Sequence, residues 1–326
     1  MKDNLRYCLP ALLVLLSALS VGATGPAWGA GTDEAVRPSN EGPYSRIISL
    51  YPAHTENLGS LGLRDEVIGV SRGEALPLEM DRKPKFSYRD DPERLLSAAP
   101  DLVLIRPMIE RGYPGLVAKL RGAGVRVVSI QPRNVEEMFQ YWRRLGALTG
   151  REREAEDMVR RFQQGLERIS ATLMAVSAEK RKGVFFEAIH SKMKTFSPDS
   201  IAVFVLRSAG GVNTAEDALT VRNTNIAAYG KERILAQADR IDVYLAQVGA
   251  MNPVNLSMIL EEPGFGALKA VREGKVYLVE EEIVSRPTLG LLRGIRRIAG
   301  LLYPDHFGEV TEHTASAAPY VEMKNP

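Results

Sequence analysis

The sequence predicts an α/β protein of two three-layer lobes, each built on a central sheet of mainly parallel strands, joined by one long α-helix. Apolar runs such as residues 101–105 and 183–189 alternate with helical patterns in both halves of the chain. Fully apolar runs are typical of strands buried on both faces, as in parallel sheets covered by helices. Between the halves lies an amphipathic pattern of about 28 residues, roughly 42 Å as a helix.

In the first half, the pattern predicts strands and helices in alternation. Residues 47–50 form an apolar run that stops at Pro52, and Thr55 is placed to cap the helix that follows. Residues 66–70 form the second strand. Pro92 lies near the first turn of another helix, and residues 101–105 then form a fully apolar strand.

The bridging helix is predicted at residues 151–178. The preceding amphipathic helix, 135–148, is stopped by Thr149 and Gly150, and an acidic cluster then provides charges that favour a helix N-terminus. A helix of this length exceeds what a crossover within one sheet requires. We expect it to be continuous and to limit movement of the lobes.

The second half repeats the alternation. Strands are predicted at 183–189, 241–246 and 275–279, and a helix is predicted to begin at Ser197 and Pro198. The last helix covers residues 289–302. The predicted boundaries are a signal peptide at 1–30, a linker at 31–43, lobes at 44–150 and 179–304 around the bridge, and a flexible tail at 305–326.

The N-terminus predicts export to the periplasm. Residues 1–30 combine an early cationic region, an apolar core and small residues at the end, which is the layout of a signal peptide. The single cysteine, Cys8, precedes the apolar core, a context unsuited to lipid attachment. An uncleaved signal anchor stays open as the alternative. The net charge of +2 is too small to indicate nucleic acid as a partner.

A cleft between the lobes is the expected ligand site, because ligands of open α/β sheets bind beyond the carboxyl ends of the strands. Aromatic, cationic, histidine and methionine side chains follow the predicted strand ends: Tyr51, Arg72, Arg106, Met108, His190, Lys192, Lys194 and Phe196. Rings stack on flat ligands and arginine pairs with carboxylate or phosphate. The mixture favours a flat or chelated organic ligand with anionic groups.

The chain resembles the N-terminal lobe of the periplasmic solute-binding proteins of ABC importers for cobalamin, haem and ferric siderophores. The resemblance lies in the order and spacing of four segments: 46–56, 67–70, 87–96 and 99–104. The resemblance continues to about residue 304. It implies a monomeric, non-enzymatic protein without a permanently bound cofactor, which captures a small molecule and delivers it to a permease and ATPase complex at the inner membrane. Which of the three ligands is bound stays open.

The resemblance adds further residues to the expected site: Phe86, Tyr88, Arg89 and Arg286. In haem-binding relatives, a tyrosine at the position of Tyr88 coordinates the iron, and phenolate is a good ligand for ferric haem. If the ligand is haem, His190 is the expected second ligand or hydrogen-bond donor. Otherwise Tyr88 packs its loop or contacts a different chelate. The resemblance also implies that Glu232 and, by a looser match, Glu110 pair with permease arginines.

Two other functions stay open as alternatives. A transporter of bare transition-metal ions needs several convergent ligands, and the histidines are His54, His190, His306 and His313. A serine hydrolase is suggested by the G-x-S-x-G match of residues 69–73, with Ser71 as nucleophile. Pro77 and Pro84 disfavour the helix that such an elbow requires, and no acid partner is marked.

Overall fold

The computed structural model describes residues 43–72, 76, 78–221 and 224–308. The predicted signal peptide, residues 31–42 of the predicted linker, and residues 309–326 of the predicted tail lie outside the described residues. In the described part, no helix is both long and apolar enough to cross a bilayer.

The first lobe contains a five-stranded, all-parallel sheet in the order β3-β2-β1-β4-β5. Its strands are β1 (Ile47–Ser49), β2 (Val67–Ser71), β3 (Lys85–Phe86), β4 (Leu102–Ile105) and β5 (Arg126–Ser129). Its helices are α1 (Pro52–Ser60), α2 (Leu78–Asp81), α3 (Pro92–Leu96), α4 (Pro107–Gly112), α5 (Pro114–Gly122) and α6 (Val135–Thr149). Leu102 and Leu104 join one hydrophobic core, while Val103 and Ile105 join another. The sheet is therefore covered on both faces.

The second lobe contains a seven-stranded mixed sheet in the order β12-β11-β6-β7-β10-β9, with β8 also paired to β6. Its strands are β6 (Gly183–Ile189), β7 (Lys194–Phe196), β8 (Val212–Asn213), β9 (Leu219–Thr220), β10 (Ile226–Ala228), β11 (Val243–Val248) and β12 (Val276–Glu280). Strands β8, β6, β11 and β12 run parallel, and β7, β10 and β9 extend the sheet antiparallel. The predicted fold class is confirmed, with this antiparallel extension as an addition.

The remaining helices are α7 (Glu152–Leu173), α8 (Ile201–Ser208), α9 (Lys231–Leu235), α10 (Leu256–Leu260), α11 (Lys269–Arg272), α12 (Glu281–Val284), α13 (Leu291–Leu302) and α14 (Pro304–Phe307). Helix α7 is the bridge. The ring of Phe162 on α7 lies 5.7 Å from Trp142 on α6 and 6.4 Å from Phe204 on α8, measured between centroids. The bridge therefore packs against both lobes.

The bridge is continuous but ends before the predicted residue 178. Helix α7 stops at Leu173, and the N–H of Met174 closes its last turn on Ser170 and Thr172. Val176 then turns into the core, and Ser177 has extended backbone before a 3-10 turn at Ala178–Lys180. The helix ends early because the turn after Leu173 places the apolar side chain of Val176 in the core, and burying that side chain is favourable.

Other helix ends follow local signals. Gly150 takes the left-handed conformation, φ 67°, that ends α6 as predicted. Helix α8 begins at Ile201, later than predicted, because Ser200 accepts the N–H of Val203. Residues 305–307 of the predicted tail instead belong to α14, which packs Phe307 against the core.

Candidate ligand-binding cleft

Arg286 joins the carboxyl edges of the two sheets. Its Nη1 lies 2.8 Å from Glu56 Oε1 on α1, the helix that follows β1, and its Nε lies 3.1 Å from Glu281 Oε2 at the start of α12, directly after β12. The carboxyl ends of both sheets therefore face the same gap between the lobes. The side chain of Arg286 is 7% exposed. Arg286 was predicted as a ligand-binding cation, and in this structure Glu56 and Glu281 both engage it.

The loop around Arg286 is fixed to the first lobe by further hydrogen bonds. Asn57 Nδ2 and Trp142 Nε1 each donate to the carbonyl of Pro287 at 2.9 Å. Burial alone would lower the pKa of Arg286, but the charges of Glu281 and Glu56 raise it above its ordinary value. The guanidinium is therefore charged at every pH at which the protein is folded.

His54 is a buried, neutral residue behind this edge. Its Nε2 lies 3.2 Å from the carbonyl oxygen of Ile105, which only accepts, so Nε2 carries the proton. Its Nδ1 accepts from the hydroxyl of Tyr141 at 2.7 Å. Burial lowers the pKa of His54 to about 3. Both nitrogens are occupied, which removes His54 from the candidates for a bare metal site.

Tyr51 and Arg106 form a stacked pair on the rim of the first lobe. The guanidinium carbon of Arg106 lies 4.8 Å from the centroid of the Tyr51 ring. Both residues follow strands of one parallel sheet, Tyr51 after β1 and Arg106 after β4. The structure thus brings together two predicted site residues that are distant in sequence.

Tyr88, Arg89 and Tyr113 form a second aromatic and cationic group. The rings of Tyr88 and Tyr113 lie 4.8 Å apart, and the guanidinium of Arg89 lies 5.6 Å from the Tyr88 centroid. A hydrogen bond with Tyr113 is the largest cause that raises the pKa of Arg89. Tyr113 was missed by the sequence reasoning. Its signal is a tyrosine directly before the first proline of a helix, as in Tyr51-Pro52.

Two predicted site residues are core residues. Phe196 is fully buried and lies 4.8 Å from Phe186, because β7 is an interior strand between β6 and β10. Phe86 is 6% exposed and packs over Gly69, where an added Cβ would lie 2.4 Å from its ring. The predicted ligand contact of Phe196 is corrected, because its ring is fully enclosed. Phe86 was also predicted to contact the ligand, and its side chain is about as buried as that of Tyr51, which is 5% exposed.

The remaining predicted rim residues are more exposed. Met108 is 38% exposed on α4, and Arg72 pairs with Asp90 at 3.5 Å. Lys192 is exposed and Lys194 is partly exposed, and within the described residues neither forms an ion pair. Among the described residues, both lysines are therefore free to meet an anionic group.

His190 lies among charged groups on the second lobe. Its Nδ1 is 2.8 Å from Glu187 Oε2, and its Nε2 is 3.6 Å from Glu262 Oε2. The hydrogen bond with Glu187 is the largest cause that raises the pKa of His190. Both ring nitrogens of His190 therefore face carboxylates. Across the described residues, no cluster of three or more His, Cys, Asp or Glu side chains is suited to hold a metal ion.

Glu187 was also missed, although a glutamate within the apolar strand 183–189 is an available signal. It is fully buried and accepts hydrogen bonds from His190, from the Tyr244 hydroxyl, and from Asn252 Nδ2 at 3.3 Å. Buried carboxylates require such partners. Glu187 therefore holds the imidazole of His190 in one orientation.

Ser71 lacks the surroundings of a nucleophile. It ends β2, is 7% exposed, and its hydroxyl makes no hydrogen bond with any described residue. A serine nucleophile needs a hydrogen-bonded base that is itself oriented by an acid.

The two acidic docking candidates differ: Glu232 is exposed at the start of α9, whereas Glu110 pairs with Arg121 at 3.1 Å.

Comparisons with known proteins agree with this architecture. A profile of a family described as periplasmic binding protein matches residues 47–283. A curated protein of Bacillus subtilis (strain 168), the uncharacterized ABC transporter substrate-binding lipoprotein YvrC, is 25% identical over 268 residues, which cover 81% of this chain and 82% of that protein.

Solved structures share the fold. A possible iron-binding (periplasmic solute-binding) protein from Staphylococcus epidermidis ATCC 12228 is 25% identical, with a TM-score of 0.69 over 80% of this chain and 99% of its own. The apo form of the periplasmic heme-binding protein RhuT from Roseiflexus sp. RS-1 is 20% identical, with a TM-score of 0.67 over 81% and 99%. The vitamin B12-binding protein BtuF of Vibrio cholerae is 21% identical, with a TM-score of 0.60 over 80% and 98%.

Proposed function

Because the chain belongs to the periplasmic binding protein family, we propose that it captures an iron chelate or metallotetrapyrrole between its lobes: a ferric siderophore, haem or cobalamin. The class predicted from the sequence is confirmed. The protein is a substrate-binding component of an ABC transporter, acts outside the cytoplasm, and is not an enzyme. We propose the periplasm as its compartment, reached through the signal peptide of residues 1–30.

The observation that supports this ligand class is the composition of the rim. Two groups of stacked tyrosines and arginines lie at the carboxyl edge of the first sheet: the pair Tyr51–Arg106 and the group Tyr88–Arg89–Tyr113. Rings offer surface to a flat or chelated ligand, and guanidinium groups pair with its carboxylates or phosphates. The same cations repel a bare metal ion. Solved proteins with this fold include a heme-binding protein, a vitamin B12-binding protein and a protein of an Fe3+-hydroxamate transport system.

Removing one rim side chain should weaken binding without unfolding the protein. We expect Tyr88→Ala and Arg106→Ala each to cost about 1 to 3 kcal/mol of binding free energy, as for a buried aromatic or arginine anchor. The measurement is titration of the purified protein with haemin, cyanocobalamin and a ferric hydroxamate, followed by tryptophan and tyrosine fluorescence.

Two variants serve as controls for this titration. Tyr88→Phe keeps the ring and removes only the hydroxyl. It therefore distinguishes stacking of the ring on the ligand from coordination or hydrogen bonding by the hydroxyl oxygen. Arg111→Ala removes an exposed cation from the same helix as Met108 and should leave affinity unchanged. Unchanged affinity in both Tyr88→Ala and Arg106→Ala would contradict the proposed site.

We also propose that Glu232 and Glu110 dock to arginines of the permease. Glu232 supports this most, because it is exposed and makes no ion pair within the described residues. Glu110 already pairs with Arg121, so docking through it requires exchange of partners. Complementary charges of this kind chiefly set orientation and encounter rate.

Reversing both charges should separate binding from delivery. The double variant Glu232→Lys, Glu110→Lys should bind its chelate with unchanged affinity but lose stimulation of the permease ATPase, because like charges that face each other cost several kcal/mol. The control is Glu179→Lys, which reverses an exposed charge beyond the bridge. Normal stimulation by the double variant would rule out docking through these residues.

A further inference from the structure

An exposed apolar surface lies on the second lobe beside His190. It is the segment 249–262, which follows the carboxyl end of β11 and so stands at the same sheet edge as His190 after β6. Its large apolar side chains are unusually exposed: Met251 at 56%, Leu256 at 41%, Met258 at 43% and Leu260 at 45%. Four exposed large apolar side chains within one short segment make it a candidate binding surface, and methionine adapts to irregular ligand shapes.

His190 holds this segment against the sheet. Its backbone N–H donates to Asn252 Oδ1 at 2.8 Å, and its imidazole faces Glu262 at 3.6 Å. The segment is therefore fastened near its beginning by Asn252 and at its end by Glu262. Phe265, just beyond it, stands edge-on to the imidazole with centroids 6.5 Å apart.

The fastening depends on charge. The buried carboxylate of Glu187 lies on one side of the imidazole and Glu262 lies on the other. Lys231 contacts Glu262 at 2.6 Å, and the Tyr244 hydroxyl contacts Glu187. Only a protonated imidazole attracts both carboxylates at once, since a neutral ring donates from one nitrogen and presents a lone pair at the other.

We propose that His190, as an imidazolium, is the positioning residue for the Glu262 end of segment 249–262, so that this part of the second wall of the cleft is held ready for a ligand while His190 carries its proton. Loss of the proton leaves Glu187 buried without its cation and removes the attraction to Glu262. The apolar wall then loosens, and capture of a ligand must first reorder it. This inference rests on the proposed function, because it assumes that the ligand lies against this wall.

The direction of the pH dependence follows from the pKa. The pKa of His190 is raised above 6.5 by Glu187, so the stabilisation is complete below pH 6.5 and is lost as the pH rises through the folded-state value. Affinity should therefore fall on the alkaline side. Cyanocobalamin and ferrioxamine B serve as probes because neither has a carboxylate that titrates in this pH range.

The first test is affinity between pH 5.5 and 9. For whichever probe binds, wild type should weaken about tenfold across the range, a coupling of ordinary size. His190→Gln should bind weakly with a flat profile, and His190→Lys, which keeps a cation, should bind with a flat profile at higher affinity than His190→Gln. His306→Gln, at an exposed histidine on α14, should keep the wild-type profile. A flat wild-type profile would overturn the inference and leave the proposed function standing.

The second test needs neither a ligand nor a variant. Hydrogen exchange of wild type, corrected for the intrinsic pH dependence, should show that amides of segment 249–262 lose protection as the pH rises through the pKa of His190. Amides of β4 should keep theirs. Constant protection of the segment would overturn the inference. If neither probe binds at any pH and haemin does not bind either, the proposed function fails, and this exchange experiment still decides the role of His190.

Discussion

Arg286→Met should lower the free energy of unfolding by about 3 to 5 kcal/mol, because it leaves the carboxylates of Glu56 and Glu281 without their cation in a largely buried site. Methionine is of similar length, so the loss is one of charge and hydrogen bonds. Burial already raises the pKa of Glu56, and without Arg286 it should rise further. The destabilisation should therefore be largest above neutral pH and smaller near pH 5, as measured by urea unfolding at both values.

Two variants sharpen this prediction. Arg293→Met removes an exposed arginine that lies 3.7 Å from Glu282, and it should cost less than about 1 kcal/mol. Adding Glu56→Gln to Arg286→Met removes one of the stranded charges and should restore part of the stability. If Arg286→Met is as mild as Arg293→Met, the ion pair between Arg286 and Glu56 contributes little to holding the lobes together.

Acid should destabilise the protein through His54. The unfolded chain takes up the proton near pH 6.5, whereas folded His54 stays neutral down to about pH 3. Stability contributed by the neutral form is therefore present above pH 6.5 and is lost as the pH falls toward 3, by about 4 to 5 kcal/mol in total. Urea unfolding of wild type at intervals from pH 7 to pH 4 measures this slope.

A comparison of variants isolates His54 from the carboxylates that also titrate in acid. His54→Gln should be less stable than wild type at pH 7 by about 1 to 3 kcal/mol, since its hydrogen bonds are imperfectly replaced. Its stability should fall less steeply toward pH 4. His306→Gln should follow wild type. Parallel curves for wild type and His54→Gln would show that His54 does not stay neutral in the folded protein.

Features set by local sequence were predicted well. The helix end at Gly150 depends on one residue that adopts a left-handed conformation, and strand 183–189 depends on an uninterrupted run of side chains that fit a buried sheet. Both signals lie within a few neighbouring residues. The bridge was found for the same reason, although its end depended on where Val176 packs, which is a tertiary contact.

Features set by distant partners were not predictable. The resemblance assigned Arg286 to the ligand site, and its partner Glu56 lies 230 positions away in sequence, where no local pattern reveals it. His54 was one of four histidines weighed for a metal site, and its burial between Tyr141 and Ile105 is visible only in the fold. Phe196 follows a strand end, but its pairing partner β10 encloses it. The local sequence around Phe196 does not reveal that a strand 30 residues further along the chain covers it.

The most direct test is a crystal structure of the protein with whichever of haemin, cyanocobalamin or the ferric hydroxamate saturates it in solution. The account predicts that the bound molecule lies between the lobes, with its rings or chelate arms against Tyr51 and Tyr88 and an anionic group near Arg106. A molecule bound outside this gap, with these three side chains untouched, would contradict the account.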